Sequence, residues 1–443
     1  MASNVSSQNP AAAAARAAVI PFREVRRWIQ PWYVAYAILG SLVSGAAIIL
    51  IPVVIVDHGG SAIQIGAAVA LLNFGMLFAP FWGWLADRFK DYRAIFFGGF
   101  LLIASGFALL AALHGPRAWF TSPFLIGLGA GASNTVAGLF VVEFTPEDEW
   151  AHRISWLQTF NALGVITGTA FGGLLRPQMG LVAAALLVLP ALLVGGWGLP
   201  VPGGRKHLLR FDELTPEHHA TVVRRFEPLA CTVMVRLFRA RFRDAATVPA
   251  ALCTPFGLLL ISWFLFSLAV SAFSTLYPVL MRSQFHLSVA HASMLLSVAT
   301  ALSLPLYNYA GRITTQRNPA RVLAVGVAVR FFVLLALGLL GLFRVPSAIL
   351  PAILLFAAFQ GIWPVISVAS NDLAAELAPF GKGAAMGLFN AAAAVASAAG
   401  AIAGGAMADR FGYSSASLLA AAGAALALTV ISRVRVIPSP AAA

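Results

Sequence analysis

Charge is the scarcest commodity in this chain. Asp, Glu, Lys and Arg together make up 10% of the 443 residues, while hydrophobic residues make up 60% and mean hydropathy is +0.86. A soluble domain carries about 25% charged residues, so an ordinary water-soluble fold is excluded. Lysine is almost missing, with 3 against 26 Arg, a usage that fits a high-GC bacterium. Cysteine is limited to Cys231 and Cys253, both in a stretch read below as cytoplasmic, which argues against a disulfide framework or a thiolate metal site. His218-His219 and Asp212-Glu213 have no partners at metal-ligand spacing, and neither a metal nor any other cofactor is expected. No Gly-Lys-Ser/Thr phosphate loop is present, so ATP hydrolysis by this chain is not expected, nor is any other enzymatic activity.

What fills the space is a series of apolar runs, each about 20 residues long, enough to cross a hydrocarbon core of about 30 Å. They predict an all-α membrane protein with 12 transmembrane helices. Six lie near Trp32–Val56, Ala62–Leu85, Ala94–Leu113, Phe120–Phe144, Ile154–Leu175 and Gly180–Leu199. Six more lie near Pro255–Met281, His291–Gly311, Val322–Phe343, Ala348–Ala374, Ala384–Met407 and Ala416–Ser432. With both termini cytoplasmic, 23 basic residues fall on the inner side and 5 on the outer side, Arg330 alone remaining within a span. That asymmetry accounts for the net charge of +13 without nucleic acid as a partner. The expected organisation is a cytoplasmic tail at 1–31, a six-helix bundle at 32–200, a basic cytoplasmic linker at 201–254, a second bundle at 255–432 and a tail at 433–443. The tail lacks the apolar core and cleavage site of a signal peptide. The linker reads either as a helix lying on an anionic membrane surface or as a solvated tether. Phe160-Asn161-Ala162 recurs as Phe389-Asn390-Ala391, and Gly172-Gly173 recurs as Gly404-Gly405, which suggests two pseudo-symmetric halves.

The stretch Gly83-Trp-Leu-Ala-Asp87-Arg88-Phe-Lys90-Asp91-Tyr-Arg93 packs acids and bases into a hinge between two apolar runs, where only a membrane surface suits it. It resembles the inner-loop signature of the major facilitator superfamily, Gly-x-Leu-Ala-Asp-Arg-x-Gly-Arg-Lys, departing from it at Lys90 and Asp91. The resemblance implies the two-bundle fold of that family and alternating access. It also implies that Gly83, Asp87, Arg88 and Arg93 form an inner gate. Asp87 would meet the N-terminal end of the eleventh helix, and Arg88 would pair with Glu143. The similar Gly405-Ala-Met-Ala-Asp409-Arg410-Phe is expected to be an outer turn of the repeat and not a second inner gate.

Gly164, Gly168, Gly172 and Gly173 resemble the glycine signature of drug–proton antiporters, with Thr169 where that pattern has Pro. Glycines four apart let helices approach closely; exchange transport and plain packing are both open readings. The same family resemblance places a central cavity among the first, fourth, seventh and tenth helices. Candidates to line it are Tyr36, Asn73, Asn134, Gln158, Asn161, Ser271, Ser274, Gln360, Trp363 and Asn390. Arg330, at the middle of a span, costs at least about 2.5–3.5 kcal/mol and is expected to snorkel or to pair with a polar neighbour. Arg330 and Asp372 are the candidates for coupling. The expected activity is secondary transport of a small organic solute by a monomer in the bacterial inner membrane, with export favoured and a proton or other ion as possible co-substrate. Uptake or facilitated diffusion of a metabolite, and a non-transporting sensor or assembly subunit, are the alternatives.

Overall fold

The computed structural model describes residues 29–89, 91–113, 115–144, 150–198, 254–343, 348–377 and 382–434. The 201–253 part of the linker, residues 1–28 and residues 435–443 lie outside them. Apolar runs of this length satisfy their backbone polar groups only as helices, and the described residues contain no strand. The helices are α1 (Tyr33–Asp57, π-helical over Ser41–Ala46), α2 (Ala62–Met76 and Ala79–Phe89), α3 (Tyr92–Ala112), α4 (Pro116–Phe144), α5 (Trp150–Leu174) and α6 (Pro177–Leu186 and Val188–Gly198). They continue as α7 (Pro255–Ser274 and Tyr277–Phe285), α8 (Val289–Gln316), α9 (Pro319–Leu342), α10 (Ile349–Gly361 and Trp363–Glu376), α11 (Lys382–Phe411) and α12 (Tyr413–Ile431). Ten of them contain a segment long and apolar enough to cross a membrane; α4 and α5 fall outside that set.

Four helices are interrupted, and proline accounts for each break. Pro80, Pro190, Pro278 and Pro364 stand just inside the second piece of α2, α6, α7 and α10. A proline has no N–H for the carbonyl four residues back. Those carbonyls belong to Met76, Leu186, Ser274 and Gln360, at the ends of the first pieces. The sequence-based span Pro255–Met281 is therefore two helices, broken at Thr275 and Leu276. Helix starts carry their own caps: Ser61 on α2, Asp91 on α3, Thr254 on α7, Ser288 on α8 and Asn318 on α9.

Helices α1 to α6 pack mainly on one another, as do α7 to α12. The repeat is visible in the packing. Phe160 of α5 sits 5.8 Å from the Tyr33 ring of α1, and Phe389 of α11 stacks 4.7 Å from Trp263 of α7. Both halves thus anchor the same Phe-Asn-Ala element on an aromatic of their first helix. Leu193, Leu302, Phe332, Phe343 and Leu354 are exposed on the outside of the bundle, a surface suited to lipid and not to water. The halves meet where α2 runs along α11, α5 along α8, and the end of α1 beside the second piece of α7.

Candidate functional site

Among the described residues, polar contacts between the halves gather at the face bearing Asp57, Asp409 and Arg282. Helix α2 begins there with a capping box: Ser61 N–H donates to Gln64 Oε1 at 2.9 Å and Ser61 Oγ accepts from Gln64 N–H. That box leaves the Ala62 and Ile63 amides without intrahelical acceptors. Asp409 supplies them from the other half, accepting from Ala62 N at 2.7 Å and Ile63 N at 2.9 Å. Gly405–Phe411, expected at an outer turn, is the end of α11, which stays helical through Phe411, and this last turn carries a carboxylate to the positive end of α2. Such a contact at a solvated helix end stabilises by about 0.3–1 kcal/mol. Nearby, Arg282 Nη1 donates to Asp57 Oδ1 at 2.7 Å, an exposed pair worth about 0–1 kcal/mol.

Small residues let the backbones come this close. A Cβ on Gly66 or Gly405 would strike the backbone of α11 or α2 respectively, and one on Gly173 would strike Ser293 of α8. The recurring glycine pairs therefore contribute Gly173 and Gly405 to the two seams between the halves. Gly164, Gly168 and Gly172 face α1 in their own half instead, where a Cβ on Gly45 would lie 2.7 Å from Gly168 Cα. Thr169, in the position where the glycine signature has proline, joins its hydroxyl to Ser297 Oγ of α8 at 2.6 Å, both side chains being buried.

Behind these contacts lies a cavity of about 280 Å³ between the halves. Its polar lining is Ser44 of α1, Asn73 of α2, Asn134 of α4, Ser271, Ser274 and Thr275 of α7, and Ser397 of α11; the rest is aliphatic or Met. Two of these groups are tied down locally, Ser271 Oγ donating to the Ser397 carbonyl at 2.6 Å and Asn73 Nδ2 to the Val69 carbonyl at 2.9 Å. None of the lining residues is ionisable.

Of the residues expected from sequence, Asn73, Asn134, Ser271 and Ser274 come together here. Tyr36 lies with Gln158 and Asn161 at the α1–α5 contact, and Asn390 is exposed on α11. Gln360 reaches Thr300 within the second half, and Trp363 flanks Arg330. Neither lines this cavity, which draws on α2 and α11 where α10 was expected. Ser44, Thr275 and Ser397 were missed; the small-polar run Gly40-Ser41-Leu-Val-Ser44-Gly45 was the available signal for the first.

A Cβ on Gly83 would lie 3.6 Å from Thr135 Cγ2 of α4, and Arg93 Nη2 donates to the Gly196 carbonyl at 3.1 Å, tying α3 to the end of α6. The side chains of Asp87, Arg88 and Glu143 lie outside the described residues. Asp372 is exposed near the end of α10. Arg330 does not snorkel: it is 1% exposed and donates from Nη2 to the Phe359 carbonyl at 3.0 Å.

Comparison with known proteins agrees with this architecture. The nucleoside transporter NupG superposes with a TM-score of 0.69 at 12% identity, covering 91% of this chain and 98% of that one. A bacterial homologue of the human lysosomal transporter Spinster, in an inward-facing and occupied conformation, also gives 0.69, at 10% identity over 93% and 97% of the two chains. In sequence, the multidrug resistance protein MdtH of Salmonella arizonae is 26% identical over 281 residues, 60% of this chain and 66% of that protein. The match to MdtH of Escherichia coli O1:K1 is also 26%, over 58% and 64%; the chain thus spans just under two thirds of these relatives. The family model of the Major Facilitator Superfamily matches residues 32–379, and the chain belongs to that superfamily.

Proposed function

We propose that this protein is a secondary transporter that exports a small, amphipathic, uncharged organic solute by alternating access. The observation that carries the reading is the cavity between the halves, lined by hydroxyls, two amides and aliphatic side chains, and roofed on the Asp57 face by contacts that are individually weak. Orientation follows from the charge asymmetry, which puts the Asp57 face outside and both termini in the cytoplasm. The arrangement is then an outward-closed state, and the inner hinge at Asp87 acts in the opposite state. Weak latches suit such a cycle, since two states must differ by only a few kcal/mol for solute to shift them. The multidrug names of the relatives favour export. Residues 32–200 and 255–432 form the moving halves of a monomer in the inner membrane, and the chain performs no chemistry on its solute.

A second reading has its own observation. The cavity lining contains no group that titrates, so facilitated, uncoupled passage is the alternative to proton antiport. Chloramphenicol, which is neutral and carries hydroxyl and amide groups, is a suitable probe. Inverted vesicles containing the protein should accumulate it above protein-free vesicles. A response to an imposed pH gradient selects antiport, equilibration without response selects facilitation, and no difference from protein-free vesicles rejects transport of this class.

A further inference from the structure

Arg330 sits at middle depth of α9 and points into the second bundle, not to lipid or to a surface. Its guanidinium lies 4.0 Å from the centroid of Phe359, 5.0 Å from Trp363 and 5.6 Å from Phe266. One nitrogen donates to the Phe359 carbonyl, beside the proline break of α10, while Nε and Nη1 are buried without a partner. Aromatic faces and one carbonyl stabilise the cation but do not cancel its charge. Among the described residues no carboxylate pairs with it. An arginine stays charged in proteins, so the second bundle holds a net positive charge in a medium of low dielectric.

Phe266 is one helical turn along α7 from Val270 and Ser271, which line the cavity. A turn rises about 5.4 Å, which puts the guanidinium roughly 10 Å from that wall. The lining has no acid to offset it. At about 10 Å and an effective dielectric of about 20, a cation in the cavity is disfavoured on the order of tenfold, whereas a neutral solute is untouched.

We infer that Arg330 is a specificity-determining residue: it makes the central cavity reject positively charged solutes, so that the transported class is neutral or anionic. This rests on reading the cavity as the solute site. The role is electrostatic, exerted through the wall without contact, and it is separable from the residue's structural hold on α10.

The test compares chloramphenicol with ethidium, a cation, in vesicles held at zero membrane potential, each flux corrected for protein-free vesicles. Wild-type protein should move chloramphenicol and leave ethidium near background. Arg330→Met keeps much of the packing and removes the charge; it should raise ethidium flux about tenfold relative to chloramphenicol. Arg330→Lys keeps the charge and should hold the ratio within about twofold. A purely structural role would change both fluxes in proportion. Should Arg330→Met fail to insert, Tyr307→Glu supplies the missing acid near the guanidinium and should move the ratio the same way. Comparable flux of both probes through the wild type, or an unchanged ratio in the variant that inserts, overturns the inference alone. Movement of neither probe overturns it together with the transport reading.

Discussion

The two seams on the Asp57 face do the same job with different physics. Along α2 and α11, Gly66 and Gly405 bring the backbones together, and Asp409 then spends a full charge on two amides at a solvated helix end. Along α5 and α8, Gly173 makes the close approach, and the polar contact is the buried hydroxyl pair Thr169–Ser297. The N-terminus of α8 carries its own serine cap, Ser288 Oγ accepting from His291 N at 3.2 Å, as Ser61 does on α2. One seam is thus a lock open to salt, and the other is a dry fit sensitive to shape. An asymmetric pair of this kind can part in sequence, the exposed contact yielding before the packed one.

Shape should matter most. Gly173→Leu forces a side chain into the space held by Ser293, and overpacking of this type costs about 1–3 kcal/mol, equivalent to about fivefold to over a hundredfold in the population closed on the Asp57 face. Spin labels at Leu113 and Ser283, both exposed on that face in different halves, placed after removal of Cys231 and Cys253, would report the distance. The open distance should dominate in Gly173→Leu; an unchanged distribution would mean that the α5–α8 fit does not hold the seam.

Asp409→Asn is the next largest. It keeps one acceptor and removes the charge, at a cost of about 1 kcal/mol or less, so the open population should rise up to about fivefold and the effect should shrink in high salt. Asp87→Asn should push the same distribution the other way, toward closure on the Asp57 face, if the two Asp-Arg-Phe stretches serve opposite ends of the cycle. Shifts in the same direction for both variants would break that pairing.

The sequence made some of this legible and hid the rest for a physical reason. Span positions and the repeat were readable because hydrocarbon thickness and duplication leave long, coarse marks. Gly173 and Gly405 were found as a recurring pair, yet their partners on α8 and α2 were not, since nothing local encodes which helix a glycine faces. The cavity was harder still. Helices such as α2 and α11 are apolar or small over most of their length, so periodicity does not say which side turns inward; Asn73 of α2 lines the cavity, while Gln360, Trp363 and Asn390 do not. Arg330 shows the same limit: its cost was evident from its place in a span, but the aromatic faces of Phe266, Phe359 and Trp363 that receive it come from two other helices. For Asp409, membrane topology argued only against an inner gate; its contact with the other half could not be read because nothing local says that the N-terminus of α2 is close by.

The smallest expected effect gives the sharpest reading of the dry seam. Thr169→Val nearly preserves volume and removes the hydroxyl, while Ser297 still donates to the Ser293 carbonyl at 2.9 Å, so no donor is left stranded. Interhelical hydrogen bonds between membrane spans are worth about 0.6 kcal/mol on average, which amounts to about threefold in the closed population. Because Thr169 and Ser297 are both buried, that shift should not depend on salt, unlike the one produced by Asp409→Asn. Measured by the same label pair in low and high salt, a salt-independent shift of this size assigns the contact to the dry seam. A salt-dependent one would mean that water reaches Thr169 and that the two seams differ less than their geometry implies.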